Sequence, residues 1–171
     1  MRVLIVYESM YGNTAAVARA IADGVRAGGA EAAIAGVNEV APEDAASADL
    51  LVVGGPTHAH GMSRAATRKT AIEDPKRTFT DPTVGDGLRE WIDRLHGEGR
   101  TAAAFDTRID APAAFTGAAS KGIAKRLAGR GFRMPTDRES FRVTKENHLV
   151  DGELDRATAW GRQLASSLVA A

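Results

Sequence analysis

Residues 3–14, VLIVYESMYGNT, constrain this chain more than any other stretch. Val3-Leu4-Ile5-Val6 is a continuous apolar run, rich in β-branched residues and too short for a helix. Such a run suits a strand buried on both faces, as in a parallel sheet. The chain then turns polar from Glu8 to Thr14, after which Val17, Ile21 and Val25 recur at helical spacing. Strand, polar Gly-bearing loop, helix is an arrangement that binds phosphate. Loop amides and the helix N-terminus converge on one spot, and the helix dipole there favours an anion.

The loop chemistry narrows the ligand. It is not GxxxxGK[ST], it holds no Lys to neutralise a triphosphate, and it is not GxGxxG. Ser9, Tyr11, Asn13 and Thr14 are neutral donors, joined by the loop amides, those of Met10 and Gly12 included. A neutral cradle suits a small phosphomonoester such as that of FMN. The competing reading is an ordinary strand–helix turn capped by Ser9 or Asn13. SMYGNT resembles the phosphate loop of flavodoxins and flavodoxin-like proteins, where a Ser/Thr-rich turn ending in Gly-x-Thr follows the first strand.

Composition removes several alternatives. A length of 171 residues fits one domain, residues 1–171, with a sizeable core. Twenty-two acids balance 22 bases, so charge argues for neither nucleic acid nor an anionic membrane surface. The chain has no cysteine, which removes disulfides, thiolate catalysis and Cys-ligated metals. That also excludes the low-molecular-weight phosphatases, which need a Cys nucleophile on a similar sheet. The N-terminus enters strand one without a signal peptide and no apolar run reaches a membrane span, so a cytoplasmic protein is expected.

Along the chain, residues 31–36 read as a second strand and Pro42 opens a short helix. Residues 49–53 are a third strand, running into a loop over 54–63. Residues 64–83 contain Pro75 and Pro82 and read mostly as loop, with at most a helical turn. Leu88, Trp91, Ile92 and Leu95 mark an amphipathic helix. Residues 101–105 are a fourth strand, followed by a loop over 106–117 and a helix carrying Ala119, Ile123 and Leu127. A fifth strand lies within 132–143. The last helix begins near Asp151, with Leu154, Ala157, Gly161, Leu164 and Leu168 on one face. Alternating strands and helices imply an α/β parallel sheet, and ligands of such sheets sit beyond the carboxyl ends of the strands. The resemblance implies a flavodoxin-like three-layer sandwich, five strands in the order 2-1-3-4-5.

The second motif is GGPTHAHGMS, residues 54–63. It resembles the flavin-ring loop of flavodoxin-like proteins. Its Pro-Thr start and Met-Ser end look especially like the NAD(P)H:quinone oxidoreductases of this fold. Gly54 and Gly55 are expected to let backbone approach the ring. Pro56, Thr57, His58, Ala59, His60 and Gly61 are expected to face the cofactor. No Trp or Tyr stands in the loop, so ring stacking by a large aromatic is not expected from it. Two histidines stand there instead, a residue type that changes charge near neutral pH.

By position, Asp106, Thr107 and Arg108 border the other side of the flavin. Phe115 is expected to anchor its loop against the protein, with a place over the ring as the alternative. Trp91 and Trp160 sit at helical spacing among apolar residues and are expected in the core. Arg64, Arg68, Lys69, Lys76 and Arg77 make a basic segment, read as a solvated face or as a surface for a partner's carboxylates or a nucleotide phosphate. Receiver domains share the topology, but they need an acidic pair after strand one and an Asp after strand three; Glu8-Ser9 and Gly54-Gly55 stand there.

The resemblance implies FMN as cofactor and a redox protein that acts by electron transfer with a partner protein. An NAD(P)H:quinone oxidoreductase is the alternative, and a flavin-free binding domain the third reading. No side chain is an evident acid/base catalyst and no metal site is expected; the cofactor would carry the chemistry.

Overall fold

The computed structural model describes residues 1–58, 60–73 and 87–169. In chain order, strand β1 (Arg2–Tyr7) leads into helix α1 (Asn13–Ala27), strand β2 (Glu31–Gly36) and a 3-10 helix (Pro42–Ser47). Strands β3 (Leu50–His58) and β4 (Gly61–Met62) follow, then helices α2 (Ala65–Ile72) and α3 (Leu88–Asp93). Strand β5 (Thr101–Ile109), the short helix α4 (Ala113–Thr116), helix α5 (Ala119–Gly129), strand β6 (Glu139–Val143) and helix α6 (Glu153–Val169) follow. The sheet order is β2-β1-β3-β5-β6, all parallel, and β4 pairs antiparallel with β3. This is the expected 2-1-3-4-5 order with one hairpin strand interposed.

Alternate side chains of the central strands feed two separate cores. Val3, Ile5, Leu50, Val52, Ala103 and Phe105 face α1 and α6. Leu4, Val6, Leu51, Val53, Ala102 and Ala104 face α3 and α5. Burial on both faces is why these strands are continuously apolar. Phe105, Phe141 and Trp160 meet edge to face, with ring centroids 6.2–6.3 Å apart. Each such ring stabilises the fold by about 1.5–3 kcal/mol through burial. Trp91 is likewise buried, 1 % exposed, so both tryptophans belong to the core.

Several expectations are corrected. Strand three does not end at Val53 but runs to His58, because β5 keeps pairing with it as far as Pro56↔Thr107. Strand four likewise extends past Phe105 to Ile109, held on its other edge by Ile109↔Val143. Gly54 serves the core rather than the ring: a Cβ there would stand 2.0 Å from Phe105. The segment expected to be mostly loop contains the two-turn helix α2, begun where Arg64 donates its N–H to Thr67 Oγ1. Pro75, Lys76, Arg77 and Pro82 lie outside the described residues. Leu154 is 44 % exposed and does not share the buried face of α6, which Ala157, Trp160 and Leu164 form. The side chain of Leu168 lies outside the described set. Among the described residues, no helix is long and apolar enough to cross a membrane.

Candidate functional site

The carboxyl ends of β1, β3, β5 and β6 surround a cavity of about 190 Å³. Ser9, Met10, Tyr11, Asn13 and Thr14 form its first wall. Pro56, Thr57 and His58 form the second, and Thr107 and Arg108 the third. The sequence therefore placed ten residues that converge on one cavity. Gly12, His60, Gly61 and Asp106 do not line it, and Ala59 lies outside the described residues.

The phosphate-type loop is organised from within by Ser9. Its buried Oγ accepts the N–H groups of Gly12 at 3.2 Å and Ala15 at 3.3 Å. This winds the loop into the start of α1, where the amides of Asn13 and Thr14 have no carbonyl one turn back. Thr14 Oγ1 lies 2.7 Å from Thr107 Oγ1, joining the loop to β5. Asn13 turns outward, donating Nδ2 to the Asn147 carbonyl at 2.8 Å.

Asn147 was missed from the sequence, as were Ile109 and Val143, which also line the cavity. Asn147 adopts φ 70°, the left-handed region that Asn tolerates better than most residues. The signal was available: a loop after the fifth strand opens at the same end of a parallel sheet as the loops after the first and third.

The second wall is a hairpin. Thr57 pairs with Met62 and His58 with Gly61, and His60 turns the corner at φ 71°. The His60 backbone pairs with Gly117, itself at φ 70°, so the hairpin is joined to the loop after β5. A Cβ at Gly117 would stand 2.1 Å from the His60 carbonyl oxygen, so only glycine permits this junction. The His60 side chain is exposed.

His58 is partly buried, and its Nε2 is enclosed with no hydrogen-bond partner among the described residues. Burial pulls its pKa below the ordinary value, only partly opposed by the charge of Glu8. Against the expectation of a charge gained near neutral pH, burial disfavours the charged form of this histidine, and one ring nitrogen is left unused.

Two other expected site residues do structural work at α5. Asp106 is fully buried and its Oδ2 accepts the Ser120 N–H at 2.7 Å. Thr57 Oγ1 accepts the Ala119 N–H at 2.9 Å. Both satisfy helix-start amides.

Beneath the hairpin lies Glu8, fully buried. It accepts from Ser63 Oγ and from the Leu88 N–H at 2.8 Å. Arg68 is 5 % exposed, approaches Ser63 and pairs with Glu90 at 3.4 Å. Arg68 therefore leaves the expected basic face and becomes an internal anchor. Arg64 and Lys69 remain exposed. Phe115 is corrected in the opposite sense. Rather than packing on the protein it is 74 % exposed, next to Thr116, whose hydroxyl accepts from Arg108 at 3.2 Å.

A larger cleft of about 710 Å³ lies at the β6 edge and shares Arg108 with the cavity. Its charges are mostly neutralised internally: Arg142 pairs with Asp110, and Arg156 with Glu139 and Glu153. Among the described residues no cluster of His, Asp or Glu is arranged to hold a metal ion.

A family model described as Flavodoxin matches residues 5–87, which hold the end of β1, all of β3 and both motif loops. Among solved structures, a flavodoxin from the domain Archaea is 19 % identical, with TM-score 0.68 and 99 % of each chain covered. Oxidised flavodoxin 2 from Bacillus cereus is 18 % identical, with TM-score 0.70, over 98 % of this chain and 99 % of that one. The flavodiiron protein from Giardia intestinalis is 20 % identical, with TM-score 0.67, over 99 % of this chain and 36 % of that one. The chain thus spans about a third of that longer protein and essentially all of the two flavodoxins. Fold order, the position of the cavity and the solved structures agree that the chain has the flavodoxin fold, and the family model matches it over residues 5–87.

Proposed function

We propose that this single-domain chain binds FMN and exchanges its electrons with a redox partner protein, with the cytoplasm as its place. The observation that carries the reading is the cavity at the sheet's carboxyl ends. A neutral hydroxyl-and-amide loop forms one wall, and an enclosed imidazole with an unmade hydrogen bond forms the other.

The donor set fits the cofactor. The Asn13 and Thr14 amides and the Thr14–Thr107 hydroxyl pair suit a phosphomonoester dianion, which the dipole of α1 also favours. His58 offers a donor or acceptor to a heteroaromatic ring edge. A volume of about 190 Å³ is below the roughly 300–1,000 Å³ of whole ligand pockets. The cavity therefore holds part of the cofactor between the phosphate-type loop and the wall of His58 and Arg108, and the exposed Ile109 and Phe115 offer apolar surface to the rest. When bound, FMN supplies the redox chemistry; the chain binds, orients and electrostatically tunes it.

A second reading, an NAD(P)H:quinone oxidoreductase, is favoured by the hairpin from Pro56-Thr57 to Met62-Ser63. Both readings are tested together by the visible spectrum of the purified protein and its response to anaerobic NADPH. Flavin absorbance that NADPH leaves unbleached supports the electron carrier. Bleaching by NADPH supports the reductase. Failure to hold or bind any flavin contradicts both.

A further inference from the structure

We propose that Arg108 is the charge that tunes the flavin: its guanidinium faces the isoalloxazine ring and stabilises the anion formed on reduction. This rests on the FMN reading above and goes beyond it, because it assigns the residue that sets the redox behaviour.

Arg108 is 6 % exposed and lines the cavity. Its Nη1 donates to the Ala111 carbonyl at 2.5 Å and to Thr116 Oγ1 at 3.2 Å. Its Nε is enclosed without a partner, and no carboxylate among the described residues lies within ion-pair distance of it. Asp106 and Asp110 are close enough to favour the charge, but burial first and the neighbouring Arg142 next oppose it and prevail. A guanidinium does not lose its proton in a protein. A buried cation whose nearest carboxylates stand beyond ion-pair distance is costly, so this site gains from an anion brought by a ligand.

Two groups of FMN qualify, the phosphate and the reduced ring. The phosphate has its own cradle, at the loop that Ser9 winds around and Thr14 closes. Arg108 stands elsewhere. It lies one residue beyond the last β3–β5 pair, Pro56↔Thr107, level with the hairpin that carries His58. Its partners Ala111 and Thr116 belong to the loop joined to that hairpin through His60 and Gly117. Among the described cavity-lining residues Arg108 is the one Arg or Lys, and burial disfavours the charged form of His58.

Reduction of FMN by dithionite adds two electrons and one proton. The proton is taken at the ring, whose remaining negative charge lies on its N1–O2 edge. A positive charge nearby tightens binding of that anion while leaving the neutral oxidised ring nearly unaffected. At several ångströms and an effective dielectric near 20, loss of the charge should weaken binding of reduced relative to oxidised FMN by roughly 10- to 100-fold. For a two-electron couple that is a fall of about 30–60 mV in midpoint potential.

The test is anaerobic dithionite titration of the FMN-loaded and riboflavin-loaded protein against a reference dye, for the wild type, Arg108→Gln and Arg108→Lys. Support requires a fall in potential for Arg108→Gln with both flavins, and recovery of most of it by Arg108→Lys. An unchanged potential overturns the proposal, as does a Lys variant as low as the Gln variant. Loss of affinity for FMN but not riboflavin, with the potential unchanged, also overturns it by giving Arg108 to the phosphate. If Arg108→Gln does not fold, Arg108→Met carries the same comparison. A wild-type protein that binds no flavin contradicts the function itself, an outcome distinct from all of these.

Discussion

Thr14 Oγ1 and Thr107 Oγ1 lie 2.7 Å apart, buried, across 93 residues of sequence. One hydroxyl must donate to the other, and the acceptor keeps its own hydrogen. That remaining donor is available to a phosphate oxygen beside the Asn13 and Thr14 amides. Hydrogen bonds to a charged group contribute about 1.5–3 kcal/mol. Thr14→Val should weaken FMN roughly 10- to 100-fold while changing riboflavin affinity much less, as read by flavin fluorescence. Equal losses for both flavins would assign Thr14 to folding.

The Asn13–Asn147 bond joins the phosphate-type loop to the loop before α6. It is exposed, so Asn13→Ala should cost only about 0.5–1.5 kcal/mol in urea unfolding. Its effect should appear instead as faster amide exchange in residues 144–148. Unchanged exchange there would show that the Asn147 loop is held by its own turn, in which Thr144 bonds His148 and Asn147.

His58 ties stability to pH. Its pKa is lowered from 6.5 in the folded chain, by burial first, against the opposing charge of Glu8. Between the folded pKa and 6.5 the unfolded state binds more protons, so stability rises with pH through that window. It is lost as pH falls below about 6.5. Urea midpoints at pH 7.5 and 5.5 should converge in His58→Gln relative to the wild type. An NMR-titrated pKa for His58 at or above 6.5 would contradict this lowering.

Glu8 holds the floor of the hairpin through Ser63 and Leu88. Glu8→Ala leaves a buried N–H and a buried hydroxyl without acceptors, each worth about 1–3 kcal/mol when unsatisfied. A loss of roughly 2–5 kcal/mol in unfolding free energy is expected, and Ser63→Ala, which removes a donor from the buried carboxylate, should lose about 1.5–3 kcal/mol. A neutral Glu8→Ala would mean that water satisfies these groups.

The strand order and both motif loops were legible because β1 and the start of β3 are buried on two faces, which writes an unbroken apolar run. The far ends of β3 and β5 were not legible for the converse reason. Pro56, Thr57 and His58, like Asp106, Thr107 and Arg108, are polar or turn-like residues still paired in the sheet as it reaches the site. Hydropathy alone ends a strand where its side chains begin to serve a ligand or a helix start. The Asn147 contact spans 134 residues and leaves no local trace. The burial of His58 and Arg68 depends on the hairpin and on Glu8, and the exposure of Phe115 on a four-residue helix; none of these is written in its own neighbourhood.

The most direct measurement is titration of FMN and riboflavin into the flavin-free protein, followed by quenching of flavin fluorescence. FMN should saturate at one per chain, and riboflavin, lacking the phosphate, should bind more weakly. FMN fluorescence that stays unquenched at every protein concentration would contradict the assignment of this cavity to the cofactor.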